Sequence, residues 1–191
     1  SISGNYAIVG APEDDDDALM NTGSVCIFWY SGSNWVQRFK THGIFSGYNM
    51  GTSVSIDSNY AVAGMPGTPN GGEAAVFTNT GNHWSAYSTK IISHTGTEPD
   101  DKFGSDVSIS GDNILIGSFK AAVGTSVLQG TASLFKKVAN NWQLLQLITD
   151  PSGQTWNYFG GSVSIDASVK RFIIGAYGEF NTGKAIFGKV N

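Results

Sequence analysis

The acidic run Glu13-Asp-Asp-Asp-Asp17 is the densest set of potential ligating side chains in the chain. Successive carboxylates suit a hard cation such as Ca²⁺, which takes several oxygen ligands. On this reading Asp14, Asp15, Asp16 and Asp17 are the candidate metal ligands, and Ca²⁺ is the one candidate cofactor. The competing reading is a solvated acidic loop. No Asp-x-Asp-x-Asp-Gly spacing speaks for calcium, and Glu98-Pro-Asp-Asp101 is a second acidic spot. A different chemistry is open to the aromatics Trp156, Tyr158, Tyr48 and Tyr177, which can stack on sugar rings or anchor a protein partner. Phe45 stands beside them, and Phe45 and Tyr158 equally suit a packing role. His94 is the fifth candidate ligand contact. The three histidines, His42, His83 and His94, are widely separated. None makes an HExxH spacing, and no G-x-S-x-G or phosphate-binding loop occurs. Nothing pairs a nucleophile with a base, so the expectation is a protein that is not an enzyme.

Those residues hang on a fourfold repeat. One copy runs Met50-Gly-Thr-Ser-Val-Ser-Ile-Asp-Ser-Asn-Tyr-Ala-Val-Ala-Gly-Met-Pro66, then Gly72 to Phe77, then Asn82-His-Trp84. The next runs Phe103-Gly-Ser-Asp-Val-Ser-Ile-Ser-Gly-Asp-Asn-Ile-Leu-Ile-Gly117, then Gly130 to Phe135, then Asn140-Asn-Trp142. A period of about 50 residues marks a propeller, solenoid or array whose unit cannot bury its faces alone. The repeats fall at approximately 1–49, 50–102, 103–158 and 159–191, as one domain or a piece of one.

Each copy predicts four short strands. The first alternates Ser with Val or Ile, as in Ser53–Ile56, Asp106–Ile109 and Ser162–Ile165, the period of a sheet with unlike faces. A tight turn follows. The second strand is apolar nearly throughout (Tyr6–Val9, Tyr60–Ala63, Ile114–Ile116, Phe172–Ile174) and ends in Gly10, Gly64, Gly117 or Gly175. Such runs predict burial on both faces, between neighbouring units. The third strand closes on Phe28, Phe77, Phe135 or Phe187, and the fourth opens at Trp35, Trp84 or Trp142. A Trp repeated in register is read as packing between units. No segment shows helical periodicity, so the fold class is all-β.

Phe/Met-Gly before the first strand (Met50-Gly51, Phe103-Gly104, Phe159-Gly160) and Gly-Ala-Pro after the second (Gly10-Ala-Pro12, degraded in Gly64-Met-Pro66, Gly117-Ser-Phe119 and Gly175-Ala-Tyr177) resemble FG-GAP repeats. These are the blades of the integrin α-subunit N-terminal propeller and of many bacterial surface proteins. The resemblance implies a β-propeller of four-stranded antiparallel blades, about four in this chain, the last incomplete. It also implies an extracellular or cell-surface protein. Integrin-type calcium loops lie in the connection between the first two strands, which is too short here to take those sites over.

Bulk properties are consistent with this. Gly makes up 25 of 191 residues, hydrophobics 40 % and charged residues 14 %, a turn-rich globular composition rather than a disordered one. A net charge of -4 argues against nucleic acid. No run reaches the length of a membrane helix. Cys26 is read as a small buried strand residue. The first copy lacks its FG element and most of its first strand, and the last lacks its fourth strand. The reading is therefore a processed or excised piece whose open edges call for self-association or further blades.

Antiparallel alternation puts the long connections, among them Glu13–Thr22, Thr41–Asn49, Ser93–Lys102, Lys120–Gln129 and Asp150–Tyr158, on one face. Long loops on a rigid scaffold are where function sits. The expected function is a secreted or surface recognition or adhesion module that binds protein or glycan through that face. The alternative is a structural segment of a larger propeller or a homo-oligomer with no small ligand. A propeller hydrolase or lyase is the least favoured reading.

Overall fold

The computed structural model describes every residue except Asp17, Asn82, 93–97, Pro99, 179–182 and Asn191. Among the described residues fifteen strands form four antiparallel sheets in chain order, and there is no helix. The first sheet holds β1 (Ile2–Ser3), β2 (Tyr6–Ala11), β3 (Ser24–Tyr30) and β4 (Trp35–His42). The second holds β5 (Val54–Asp57), β6 (Tyr60–Met65), β7 (Glu73–Asn79) and β8 (Trp84–Ile92). The third holds β9 (Phe103–Ser110), β10 (Asn113–Ser118), β11 (Thr131–Val138) and β12 (Asn141–Ile148). The fourth holds three strands, β13 (Phe159–Asp166), β14 (Arg171–Ala176) and β15 (Lys184–Lys189). These are propeller blades in up-and-down order, each packed on its neighbour in sequence.

The cores lie between blades. Ile8, Val25 and Ile27 of the first blade meet Met50, Ile56, Ala63 and Phe77 of the second. Val62, Ala74 and Val76 meet Phe103, Ile109 and Phe135. Leu115 and Leu134 meet Phe159, Val163 and Ile174. Burying both sheet faces is why the second strands are apolar throughout.

The Ser-Val-Ser-Ile pattern has a mechanical reason. Its apolar residues point back into one junction, and its oxygens point forward into the next. The Ile56 and Ser58 amides donate to Ser1 Oγ and Ser3 Oγ at 3.3 and 3.2 Å. Val107, Ile109 and Gly111 donate to Ser53 Oγ, Ser55 Oγ and Asp57 Oδ2. Val163, Ile165 and Ala167 donate to Asp106 Oδ2, Ser108 Oγ and Ser110 Oγ. One ladder of side-chain acceptors thus bolts each inner strand to the exposed amide edge of the next.

The FG and GAP marks are the two halves of one contact. Gly51, Gly104 and Gly160 have φ of 88°, 86° and 84°, a region open to glycine. Each lies so near the last glycine of the preceding blade's second strand (Gly10, Gly64, Gly117) that a Cβ there would strike its carbonyl oxygen.

Three readings are corrected. Phe187 does not close the third strand in register. Gly188 pairs with Phe172, where Phe28, Phe77 and Phe135 pair with Ala7, Ala61 and Ile114. The Phe172 ring fills the space that a side chain at Gly188 would need. Val9 and Ile173 are exposed although their strands read as buried on both faces. Cys26 is only half-buried, because it pairs with Val9 on the uncovered side of the first blade. Trp84 and Trp142 do pack edge-on against Tyr6 and Tyr60 of the preceding blade, with ring centroids 5.5 and 5.8 Å apart. Trp35 is exposed.

Candidate functional site

The second strands all end at one groove. Pro12, Pro66, Phe119 and Tyr177, each two residues beyond the strand's glycine, line a cavity of about 470 Å³ with Lys102 and Gly161. Apart from Ser105 and Gly161, which lie in β9 and β13, the wall residues come from the connections between strands two and three or between blades. The groove therefore opens on the long-loop face.

At its fourth-blade end the groove is bordered by an aromatic cluster. Tyr158 and Tyr177 stack at 5.0 Å and 11°. Trp156 stands edge-on to Tyr158 at 6.3 Å, and the Phe119 ring is 6.1 Å from both tyrosines. Trp156 and Tyr177 remain 57 % and 60 % exposed, so flat apolar surface is offered to solvent. Burial, then the neighbouring Tyr158, push the Tyr177 phenol above its ordinary value, and Lys120 opposes them. Lys120 also pairs with Asp100 at 3.0 Å, beside Lys102 at 2.9 Å.

The loop Asp150–Tyr158 that carries Trp156 and Tyr158 is held from within. Asp150 is fully buried, and its carboxylate accepts bonds from Lys184 Nζ at 2.8 Å, from the Ser152 amide at 3.0 Å and from Asn157 Nδ2 at 3.1 Å. Its carbonyl accepts from Gln129 Nε2 at 2.9 Å. Lys184 also touches the Ser152 hydroxyl. Burial raises the Asp150 carboxyl, but Lys184, Ser152 and Asn157 outweigh it and hold the group below its ordinary value. The backbone is also committed. The Trp156, Tyr158 and Phe159 amides donate to Val127, Leu128 and Gln129, and Trp156 sits at φ 69°. The equivalent bond in the loop Thr41–Asn49 is made by Gly47, at φ 77°. A tryptophan thus occupies a position whose backbone suits glycine, a strain of the kind that gathers at functional sites.

The other candidates lie elsewhere. Tyr48 stands against Phe45 at 5.4 Å and packs on the first junction's core, away from the Tyr158 cluster. His94 and Asp17 lie outside the described residues. The acidic run does not converge on a common point. Asp14 meets Lys40 at 3.0 Å, Asp15 accepts the Asn21 amide at 2.7 Å, and Asp16 lies 3.1 Å from His42 Nδ1. The Ser24 hydroxyl and the Lys40 ammonium hold the Asp14 carboxyl below its ordinary value. Among the described residues no group of three or more His, Cys, Asp or Glu could hold a metal ion. The described carboxylates therefore do not fit a calcium cage. Sequence reasoning missed Phe119, Asp150 and Lys184. Phe119 stood in a recognised repeat position and could have been found by its departure from Pro. The Asp150–Lys184 pair spans 34 residues with no local signal.

Residues 89–135 match the family model described as FG-GAP repeat. The chain carries an FG-GAP repeat. The matched span ends within β11 of the third blade, and FG-GAP marks recur in step in the second and fourth sheets of this β-propeller, with the GAP mark alone in the first. No curated protein matches the chain. No helix among the described residues is long and apolar enough to cross a membrane.

Proposed function

We infer that the chain is a surface or secreted recognition module that binds glycan or protein through its long-loop face, and that it acts by binding rather than by turnover. The observation that carries this reading is the shelf of Trp156, Tyr158 and Tyr177 at the fourth-blade end of the groove. Two of its rings are exposed, and the loop that carries Trp156 and Tyr158 is fixed by the buried Asp150 carboxylate and its pairing with Lys184. Rigid aromatic surface gives large contact area at small entropic cost, which is why Trp and Tyr dominate binding hot spots. The stacked tyrosines and the edge-on tryptophan offer a step on which a sugar ring or a partner's side chain can lie, with Lys102 and Lys120 beside it. The FG-GAP match supports a module of the kind used in adhesion and recognition.

The test is a glycan array together with capture of surface proteins, using the chain and its Trp156→Ala and Tyr177→Ala variants. Loss of a hot-spot ring is expected to weaken binding by tenfold or more, about 1.4 kcal/mol or above. A ligand bound equally well by both variants would place recognition elsewhere and overturn the reading.

A further inference from the structure

Each internal junction offers the same loop positions to the long-loop face, and their side chains differ. Met50, Phe103 and Phe159 correspond, since their amides donate to Thr22, Gly71 and Gln129. Three residues earlier stand Gly47, Asp100 and Trp156, and one residue earlier Asn49, Lys102 and Tyr158, at φ 54°, 62° and 55°. Across each junction the Gly67, Lys120 and Gly178 amides donate to Tyr48, Asp101 and Asn157, directly after Pro66, Phe119 and Tyr177. The first junction fills these places with Gly47, Asn49, Pro66 and Gly67, so the shared backbone requires neither charge nor ring there. The second carries Asp100, Lys102 and Lys120 around Phe119, and the third carries the shelf. The two sets touch. The Phe119 ring lies 6.1 Å from Tyr158 and from Tyr177, and Lys120 Nζ lies 6.0 Å from the Phe119 centroid. Asp100 joins the two lysines, with Oδ1 2.9 Å from Lys102 and Oδ2 3.0 Å from Lys120. The Asp100 side chain is 66 % exposed, while those of Lys102 and Lys120 are 29 % and 32 % exposed. On a chain of net charge -4, two half-sunk ammonium groups thus border the shelf, held together by one exposed carboxylate.

We propose that this site takes a sugar residue of the uronic-acid class, whose ring lies on the aromatic shelf and whose carboxylate replaces Asp100 between Lys102 and Lys120. The proposal rests on the recognition reading above and names its ligand. A pyranose ring offers a face of C–H bonds to aromatic rings, and a uronic acid bears its carboxylate at the edge of that ring. One sugar residue therefore meets the rings and the ammonium groups at once. Exposed ion pairs contribute little, so giving up Asp100 costs little, and the incoming carboxylate makes charge-assisted bonds of the same kind to both lysines. Asp100 is in this sense a built-in competitor of the ligand. The groove that Lys102 shares with Phe119 and Tyr177 has a volume of about 470 Å³, within the roughly 300–1,000 Å³ of small-ligand sites. That suits a short run of sugar residues better than a partner protein, which needs about 800 Å² of contact on each side. Among the described wall residues Glu13 is the one carboxylate, and it comes from the first blade rather than from either junction of the site.

The test is calorimetric titration of the chain with oligosaccharides of glucuronic or galacturonic acid, and with the same oligosaccharides after reduction of each carboxyl to the alcohol. The reduced forms keep the rings and lose the charge. The acidic forms are expected to bind more tightly by about tenfold or more. Lys102→Met and Lys120→Met should each lose most of that difference and leave the affinity for the reduced forms unchanged. Asp100→Ala, which removes the competing carboxylate, should bind the acidic forms severalfold more tightly and the reduced forms as before. A gain of binding cannot come from damage to the fold, and circular dichroism checks the lysine variants. Equal binding of acidic and reduced forms would overturn the proposal while leaving the shelf as a recognition surface. So would an Asp100→Ala variant that gains nothing, or a chain that binds an oligoglutamate peptide and none of the sugars. Sugar binding that survives Trp156→Ala is a separate failure, that of the recognition reading itself.

Discussion

Gly64 lies directly against Gly104 of the next blade, so that a Cβ on the first would strike the carbonyl oxygen of the second. The same contact joins Gly10 to Gly51 and Gly117 to Gly160. Neither partner can yield easily, since both are backbone in mid-junction and Gly104 is held at φ 86°. Gly64→Ala is therefore expected to cost about 1–3 kcal/mol, the usual penalty of overpacking. The fourth copy supplies its own control. A Cβ on Gly175 would meet nothing nearer than the Ser162 Cβ, at 3.6 Å. Gly175→Ala should then stay within about 0.5 kcal/mol of wild type. Urea unfolding of the two variants measures the difference, and equal midpoints would contradict the close approach.

This contact also shows how far the residues alone can lead. The FG and GAP marks recur because one blade's mark fits the other's, so a repeated contact leaves a repeated trace. The Ser rows and the Trp register are legible for the same reason. Phe187 misleads because a one-residue shift leaves a phenylalanine near its expected place while Gly188 takes the paired position. Val9 and Ile173 mislead because burial belongs to a junction, which composition within one strand does not reveal. The shelf was visible only as unrepeated aromatics. Its rigidity comes from Asp150 and Lys184, distant in sequence and without a motif, so that part could not be read before the fold was known.

Asp150 ties that loop to the fourth blade, and its titration should be visible in stability. Its carboxyl is held below the ordinary 3.8 by Lys184, Ser152 and Asn157, against the opposing effect of burial. A depressed folded-state value adds stability above the unfolded-state value, and that stability is lost as pH falls through the folded one. Asp150→Asn is expected to cost about 3 kcal/mol at neutral pH, since it removes a buried carboxylate that accepts from Lys184, Ser152 and Asn157. The gap to wild type should shrink below about pH 4 as the wild-type carboxylate itself protonates. A gap that is constant from neutral pH to about pH 2 would show that the ion pair contributes nothing.

The acidic loop makes a separate forecast. Asp14, Asp15 and Asp16 are engaged by Lys40, the Asn21 amide and His42. A calcium site would have to break these contacts before gathering ligands. A site with a dissociation constant near 10 μM would add about 2.7 kcal/mol at 1 mM calcium, several degrees in melting temperature for a domain of this size. The expected outcome is instead the same melting temperature in calcium and in chelator. A shift of several degrees would mean that the loop rearranges into an oxygen cage.

Trp156 allows stability and binding to be separated. Its φ of 69° is left-handed, and Gly47 takes the equivalent place in the loop Thr41–Asn49. An L-residue pays about 1–2 kcal/mol for that conformation, and glycine almost none. Trp156→Ala and Trp156→Gly both remove the ring that stands edge-on to Tyr158, so both should lose the ligand to the same degree. They should differ in stability, with the glycine variant ahead by about 1 kcal/mol, because part of the conformational gain is offset by the freer unfolded chain. Thermal unfolding of the two variants decides it. If glycine is no more stable than alanine, the backbone strain at Trp156 is absent. If the two bind differently, the ring is not what the ligand meets. The predicted pattern, equal loss of binding with unequal stability, is what a side chain placed for recognition on a backbone suited to glycine would produce.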